Sequence, residues 1–276
     1  EPAKVVVQLK EAFCKNCLLL YVNHRFRACL GKSKLIRPKE KILVAVSGSL
    51  ASATLVDLIH CGLQDTTPKR LMFSPIIVFI DVYSPVYIFY FLSFIFLNAL
   101  TLNCSKILTA ETGTDLAVKL MSNIVIGRGA HLPLDVGFCD TRCTSVLLLR
   151  PLQDVSKKAV AFYVLMKGLK TVFIPAFSSI ERKNCSLQKL TENFLVGLHR
   201  EFPSTMSTIF RTGEKLSLNP LSPNFGTSSC ELCQGPLDIY ATESSAYLAT
   251  QISSAVSKYG KAAINSDGMF ALFKID

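Results

Sequence analysis

The stretch SGSLAS at residues 47–52 is the first part of the chain whose residue types could do chemistry. A short Gly/Ser turn that opens a helix points backbone N–H groups and the positive end of the helix dipole at a ligand, which is an arrangement that binds phosphate. The same residue types are also common as ordinary helix N-caps. The turn is not a Walker loop, because no Gly-Lys-Ser/Thr follows it. Both interpretations remain open, and the candidate nucleotide contacts are Ser47, Gly48, Ser49 and Ser52.

Four of the ten cysteines form two C-x-x-C pairs, Cys14/Cys17 and Cys230/Cys233. Such pairs are typical of metal or redox chemistry. A structural zinc site needs four nitrogen or sulfur ligands, and each pair supplies two.

A dense run of positive charge follows the first cysteine pair. Between Arg25 and Lys41 there are seven Lys/Arg residues and one Glu. Such a run is normally a solvated face, but a basic patch beside a metal knuckle is also how small modules bind phosphates. The formal charge of the whole chain, +10, favours an anionic partner.

The composition indicates a globular protein, since half of the 276 residues are hydrophobic and only 18% are charged. This excludes a disordered acidic tail and a disulfide miniprotein, and the length suits one or two domains. We expect a basic head at 1–41, an α/β domain at 42–215, and a linker with a Cys-x-x-Cys tail at 216–276. The charged first residues do not resemble a secretory signal, so a cytoplasmic location is expected.

The elements that position the turn read as an α/β unit. An apolar strand at 42–47, a helix over about 52–62 and a second strand at 75–81 predict parallel strands joined by a crossover. The continuous apolar composition of 146–152 predicts a central parallel strand, and 155–169 a following helix.

Two further helices are predicted from apolar residues that recur on one face. The first lies within 109–129, with Leu116, Leu120 and Ile124 inward, and the second spans about 186–201. In the second helix the residues expected to face inward are Leu187, Leu190, Phe194 and Leu198.

One segment has no charge over 23 residues, from Val82 to Cys104. Its length would span a bilayer, but a proline and small polar residues interrupt it and no Lys/Arg cluster flanks it. Three interpretations stay open: a membrane-spanning helix, a buried core helix, and a faulty join in the coding sequence. No membrane association is expected.

Several blocks of the chain, in order, resemble known families. The strand–turn–helix ILVAVSGSLAS resembles the start of the PP-loop ATP pyrophosphatases, whose loop reads S-G-G-x-D-S. The blocks AFCKNC, FRACLGKSKLI, LAVKLMSNIVIGRGA, LLLRPLQD and CELCQGPLD are similar to the cytoplasmic tRNA 2-thiolation protein 2 family. The resemblance covers about 12–81 and 106–238. It implies a Rossmann-like parallel sheet of the PP-loop, adenine nucleotide alpha hydrolase-like, type with small Cys-containing terminal extensions.

The resemblance also implies a function. Members of that family are partner subunits of the complex that puts sulfur on the wobble uridine of tRNA, alongside a catalytic PP-loop paralogue that uses ATP and a ubiquitin-like sulfur carrier. In this chain Ser49 stands where the PP-loop motif has its second Gly, and Ala51 where it has Asp. A site without that carboxylate cannot orient Mg²⁺ or a catalytic water. We therefore expect a non-catalytic subunit, and the alternative is an ATP-dependent tRNA sulfurtransferase with an atypical loop.

Basic residues matched to the family are the candidates for binding tRNA phosphates. An Arg between two glycines could reach a phosphate bidentately or could instead cap the carbonyl groups at a helix C-terminus, and an Arg at a strand end could line a cleft. The candidates are Arg25, Arg27, Lys32, Lys34, Arg128 and Arg150. The same resemblance makes Cys14, Cys17, Cys230 and Cys233 candidate zinc ligands. The family has two such pairs near each end and this chain has one, so either the two pairs join across the fold to hold one zinc ion or metal binding has been lost in this chain.

Overall fold

The computed structural model describes residues 5–8, 11–65, 70–80, 94–143, 145–171, 187–202 and 204–215, with positions 250 and 254 besides. The chain divides into two units, 1–236 and 237–276, and the elements below belong to the first. Cys230 and Cys233 lie outside the described residues.

A five-stranded sheet forms the centre of the first unit. Its strands are β3 (Lys41–Val46), β4 (Ser74–Phe79), β5 (Lys106–Leu108), β6 (Cys139–Asp140) and β7 (Leu147–Leu149), in the order β4-β3-β5-β7-β6. All neighbouring strands are parallel except β6, which pairs antiparallel with β7 at the edge. The predicted parallel pair at 42–47 and 75–81 and the predicted central strand at 146–152 are confirmed. The N-terminal strands β1 (Val5–Gln8) and β2 (Glu11–Phe13) form a separate antiparallel pair.

Helices cover both faces of the sheet. They are α1 (Lys15–Ser33), α2 (Leu50–Gln64), α3 (94–101), α4 (Gly113–Val125), α5 (Leu132–Val136), α6 (Lys157–Lys167), α7 (Leu187–Glu201) and α8 (Thr205–Glu214), with a short 3₁₀ turn at Gly129–His131. On one face α1, α2 and α6 pack against Ile42, Val44, Leu108 and Leu149. On the other face Ile95 and Ala99 of α3 pack against Leu43 and Ile107. Alternating side chains of the central strands thus enter two cores, as expected for a sheet buried on both sides.

Residues 82–93 of the uncharged segment lie outside the described residues, and helix α3 occupies 94–101 of the remainder. Ile95 and Ala99 are fully buried in it, which agrees with the core-helix interpretation for residues 94–101. Among the described residues, no helix has the length and apolar character needed to cross a membrane.

A second group of helices, α4, α5, α7 and α8, shares its own apolar cluster. The prediction of which side of α7 faces inward was wrong: Leu190 and Phe194 are each 61% exposed, whereas Leu195 is fully buried. The inward prediction for Leu116 and Leu120 of α4 is confirmed, but Ile124 in the last turn is 47% exposed.

Candidate functional site

A cavity of about 290 Å³ opens where the parallel strands end. Strand β3 continues through α2 to β4 on one side, while β5 and β7 lie on its other side. The carboxyl ends of β3 and β5 therefore flank the point at which the strand order reverses, where open α/β sheets bind their ligands. The lining residues are Ala45, Ser47, Ser52, Thr109, Ala110, Glu111, Lys119, Leu148 and Arg150.

The Ser/Gly turn forms one wall of this cavity and caps helix α2. Gly48 takes the left-handed conformation with φ of 77°, which favours glycine. Ser49 is the N-cap, and its hydroxyl accepts a hydrogen bond from the backbone N–H of Ser52 at 3.3 Å. The Ser47 hydroxyl lies 3.2 Å from that of Ser49. The N-cap interpretation is thus realised in the structure, and the Ser49 hydroxyl uses one of the helix N–H groups that a phosphate would need.

The opposite wall carries three charged groups in contact. Glu111 follows β5, and its Oε1 accepts from Lys119 Nζ at 3.1 Å, while its Oε2 accepts from Arg150 Nε at 2.5 Å. Burial alone would raise the pKa of Glu111, but the charges and hydrogen bonds of Lys119 and Arg150 hold that pKa below its usual value. The carboxylate is therefore ionised at neutral pH, and the three groups together carry a net charge of one positive unit.

Arg150 also anchors a buried ionic network beneath the cavity. Its Nη1 donates to the carbonyl oxygens of Gly137 at 2.7 Å and Leu134 at 3.3 Å, and its Nη2 lies 3.7 Å from Asp140 Oδ2. Asp140 in turn accepts from the Nε of Arg142 at 3.0 Å. Burial would raise the pKa of Asp140, yet the hydrogen bonds and charge of Arg142 and the charge of Arg150 lower it.

The same network continues from Arg142 to the surface. Arg142 Nη1 lies 2.9 Å from Asp135 Oδ1, and Asp135 Oδ2 accepts from Asn123 Nδ2 at 2.9 Å. Arg128 Nη2 lies 3.9 Å from the same carboxylate, and its side chain is 43% exposed. Arg128 thus stands at the outer end of this chain of charges, where it remains accessible.

These contacts change the assignment of Arg150. Its side chain is only 2% exposed, and its guanidinium is held by Glu111, Asp140 and two backbone carbonyls. It does line a cleft at a strand end, as expected, but a group held in this way is not positioned to contact tRNA. We therefore do not propose Arg150 as a contact for tRNA phosphates.

Glu111 and Lys119 were not among the site residues predicted from the sequence. Glu111 comes three residues after a short apolar strand, and Lys119 lies eight residues further along, on α4. An acidic residue within a few positions of the end of a parallel strand was the available signal, because such residues collect at one edge of the sheet.

The basic candidates of the head lie on and just after α1. Lys32 and Lys34 are exposed, and Arg25 is half-buried with its guanidinium 5.2 Å from the ring centre of Tyr21. Arg27 instead donates to Asp65 at 2.7 Å and to Asn23 at 2.9 Å, and so connects α1 to the end of α2. The spacing of seven residues places Arg25 and Lys32 on the same side of the helix.

Cys14 is the N-cap of α1, and Cys17 lies exposed in its first turn. Across the described ranges, no group of three or more His, Cys, Asp or Glu side chains is arranged to hold a metal ion. Two thiols fit half of a tetrahedral zinc site, and the prediction of zinc at these residues stays a prediction.

The chain is similar to known proteins in both sequence and fold. The family model described as cytoplasmic tRNA 2-thiolation protein 2 matches residues 186–269, beyond position 238 where the resemblance noted in the sequence ended. The relative of that name from Danio rerio is 30% identical over 93% of this chain and 74% of its own length. The relative from Drosophila mojavensis is 30% identical over 92% of this chain and 78% of its own length.

A solved structure shares the fold. The U34-tRNA thiolase NcsA from Methanococcus maripaludis, solved with its [4Fe-4S] cluster, superposes with a TM-score of 0.61 at 16% sequence identity, covering 78% of this chain and 84% of that one. This confirms the predicted Rossmann-like sheet of PP-loop type. The names of the two sequence relatives describe them as cytoplasmic proteins, in agreement with the location expected from the sequence. Taken with the extent of the sequence matches, these findings show that the chain belongs to the cytoplasmic tRNA 2-thiolation protein 2 family.

Proposed function

We propose that this protein is a non-catalytic subunit in the 2-thiolation of wobble uridine in tRNA. In this proposal it forms a heterodimer with a catalytic PP-loop paralogue, helps to hold the tRNA, and works in a pathway that draws sulfur from a ubiquitin-like carrier. Membership of the tRNA 2-thiolation family supports the pathway. The division of labour between the subunits rests on the geometry of the cavity.

The observation that carries the non-catalytic role is the state of the cavity carboxylate. Among the described residues that line the cavity, Glu111 alone is acidic; its Oε1 accepts a hydrogen bond from Lys119 and its Oε2 accepts one from Arg150. The turn itself carries Ala51 where the PP-loop motif has Asp. A carboxylate already paired with two cations is a poor ligand for Mg²⁺, because the metal would have to displace both of them. ATP activation is therefore assigned to the partner, and Ser47, Gly48, Ser49 and Ser52 to a degenerate nucleotide site.

AMP release tests this role directly. The purified chain, incubated with ATP, Mg²⁺ and tRNA, is expected to release no AMP above a no-protein control, whereas the complex purified from cytosol should release AMP and form 2-thiouridine. Appreciable AMP release by the chain alone would contradict the proposal and support an ATP-dependent tRNA sulfurtransferase instead. The zinc content of the same purified sample tests the proposal of zinc at Cys14, Cys17, Cys230 and Cys233.

We further propose that the exposed basic residues of the head contact tRNA phosphates. Lys32 and Lys34 are exposed at the end of α1, Arg25 lies on the same side of that helix, and Arg128 is accessible on the loop after α4. Arg27 contributes by fixing α1 against Asp65 rather than through a free guanidinium. Each phosphate contact releases counterions, so binding should weaken with salt.

Charge reversal with a matched control tests the tRNA surface. In the reconstituted complex, Lys32→Glu with Lys34→Glu should weaken tRNA binding and reduce the slope of log affinity against log salt by roughly two units, about one for each lost contact. Lys158→Glu with Lys170→Glu changes the net charge equally at exposed positions elsewhere and should leave the slope nearly unchanged. Equal slopes for the two double variants would contradict the assignment.

A further inference from the structure

We infer that Glu111 is an internal counter-ion that sets the charge selectivity of the cavity, so that the cavity disfavours polyphosphates and admits only anions of low charge. This inference deepens the proposed degenerate nucleotide site and rests on it. The physical basis is that Glu111 makes, with Lys119 and Arg150, the contacts that an anionic ligand would otherwise make.

The carboxylate of Glu111 occupies the position between the two cations that face the cavity. One of its oxygens is 3.1 Å from Lys119 Nζ and the other is 2.5 Å from Arg150 Nε. A bound anion would seek the same two donors, because they are the basic groups among the described lining residues. Glu111 and an anionic ligand therefore compete for Lys119 and Arg150.

The two cations differ in how firmly they are held. Arg150 is 2% exposed and stays in place through the carbonyls of Gly137 and Leu134, whether or not Glu111 is present. Glu111 and Lys119 are 32% and 34% exposed, so their side chains have room to separate. Removing the carboxylate would leave Arg150 Nε directed into the cavity with no acidic partner from residue 111.

The helix side of the cavity is satisfied in the same manner. The hydroxyl of Ser49 accepts a hydrogen bond from the backbone N–H of Ser52, a residue that lines the cavity. One N–H group of the helix N-terminus and the two cations are thus paired with groups of the chain itself. A ligand of high negative charge gains less from two cations that a carboxylate already partly neutralises, and it is repelled by that carboxylate.

The test is a gain of binding, measured by calorimetry with inorganic pyrophosphate and orthophosphate as probes in the absence of Mg²⁺. Because Glu111 is one-third exposed, its repulsion is attenuated, and we expect Glu111→Gln to bind pyrophosphate about tenfold more tightly than the wild type. The gain for orthophosphate, which carries less charge, should be about threefold at most. Adding Ser49→Gly, which frees the N–H of Ser52, should increase the pyrophosphate affinity further.

A matched control and a second variant keep the test decisive. Glu192→Gln removes a carboxylate of similar exposure that is 3.0 Å from Lys189 on α7, and it should change neither affinity. Combining Lys119→Gln with Glu111→Gln should abolish most of the gain, which would place the anion beside Lys119. A thermal melt of each variant reports whether it is folded.

The inference is overturned if Glu111→Gln binds pyrophosphate no more tightly than the wild type, or if Glu192→Gln shows the same gain. It is also overturned if the gain is equal for both anions. Failure here leaves the subunit role unaffected, because that role is read from AMP release and 2-thiouridine formation by the complex. AMP release by the chain alone, in contrast, would contradict the subunit role whatever the anion affinities are.

Discussion

Replacing Asp140 by Asn tests whether the buried ionic network stabilises the fold. Asp140 is 2% exposed and is the common partner of Arg142 and Arg150, which are 12% and 2% exposed. The substitution keeps the shape of the side chain but leaves two buried guanidinium groups without that negative charge. Removing one partner of a buried pair costs about 3–5 kcal/mol. Because Arg142 keeps Asp135 and Arg150 keeps Glu111 and two carbonyls, we expect a loss at the lower end, about 3 kcal/mol.

Urea unfolding, monitored by circular dichroism, measures this loss of unfolding free energy. In a thermal melt of a domain of this size, the same loss should lower the melting temperature by about 6–12 °C. The control is Lys157→Gln, which breaks an ion pair of 3.2 Å with Asp115 in which both side chains are largely exposed, at 61% and 41%. Exposed pairs contribute about 0–1 kcal/mol. A loss for Asp140→Asn no greater than that for Lys157→Gln would refute the argument that burial makes this network important for stability.

The remaining predictions concern acid stability and packing. Since the folded-state pKa of Asp140 is lowered, its stabilising contribution is complete above its unfolded pKa, about 3.9, and is lost as the pH falls through the folded value. The urea midpoint should therefore decline less between pH 7 and pH 3 for Asp140→Asn than for the wild type. Parallel curves for the two proteins would contradict this prediction. Leu195→Ala, at a fully buried position, should lower the unfolding free energy by about 2–5 kcal/mol, whereas Leu190→Ala, at a position 61% exposed, should lower it by about 0.5 kcal/mol or less. The reverse order in chemical unfolding would show that the face expected from the sequence is the buried one. Gly113→Ala would place a Cβ 2.3 Å from the carbonyl oxygen of Gln153, and it should therefore lower the unfolding free energy by about 2 kcal/mol. A melting temperature equal to that of the wild type would contradict this prediction.

Local patterns in the sequence were sufficient for the framework of the fold. The apolar runs at β3, β4 and β7, with the helix between the first two, predicted parallel strands and the place where a ligand site would form. These signals are local, because a buried strand needs a continuous apolar run and a turn needs its Gly and Ser residues.

The side of α7 that is buried could not be read from the sequence. Leu187, Leu190 and Phe194 form an apolar stripe at helical spacing, yet the core takes Thr191 and Leu195 from the adjacent stripe. The helix has apolar residues on both stripes, and which one packs is decided by α4 and α8. Periodicity reports that a helix is amphipathic but does not report which neighbours it meets.

The charged wall of the cavity was hidden for a related reason. Arg150 is buried because Glu111 and Asp140, 39 and 10 positions away in the chain, come to lie beside it. An isolated Arg at a strand end gave no sign that two carboxylates from other elements would hold it. Such pairing depends on the strand order, which places β5, β7 and β6 side by side.

The linked charges from Arg128 to Lys119 also constrain how this protein can change over evolutionary time. Each of the four least exposed members of the series, Asp135, Arg142, Asp140 and Arg150, balances a neighbour on either side. A single substitution at any of them leaves a buried charge without its partner. The residues beneath the cavity can therefore change only through paired substitutions. The accessible ends, Arg128 and Lys119, can drift singly. Divergence among descendants should therefore begin at these two positions and reach the interior of the series last.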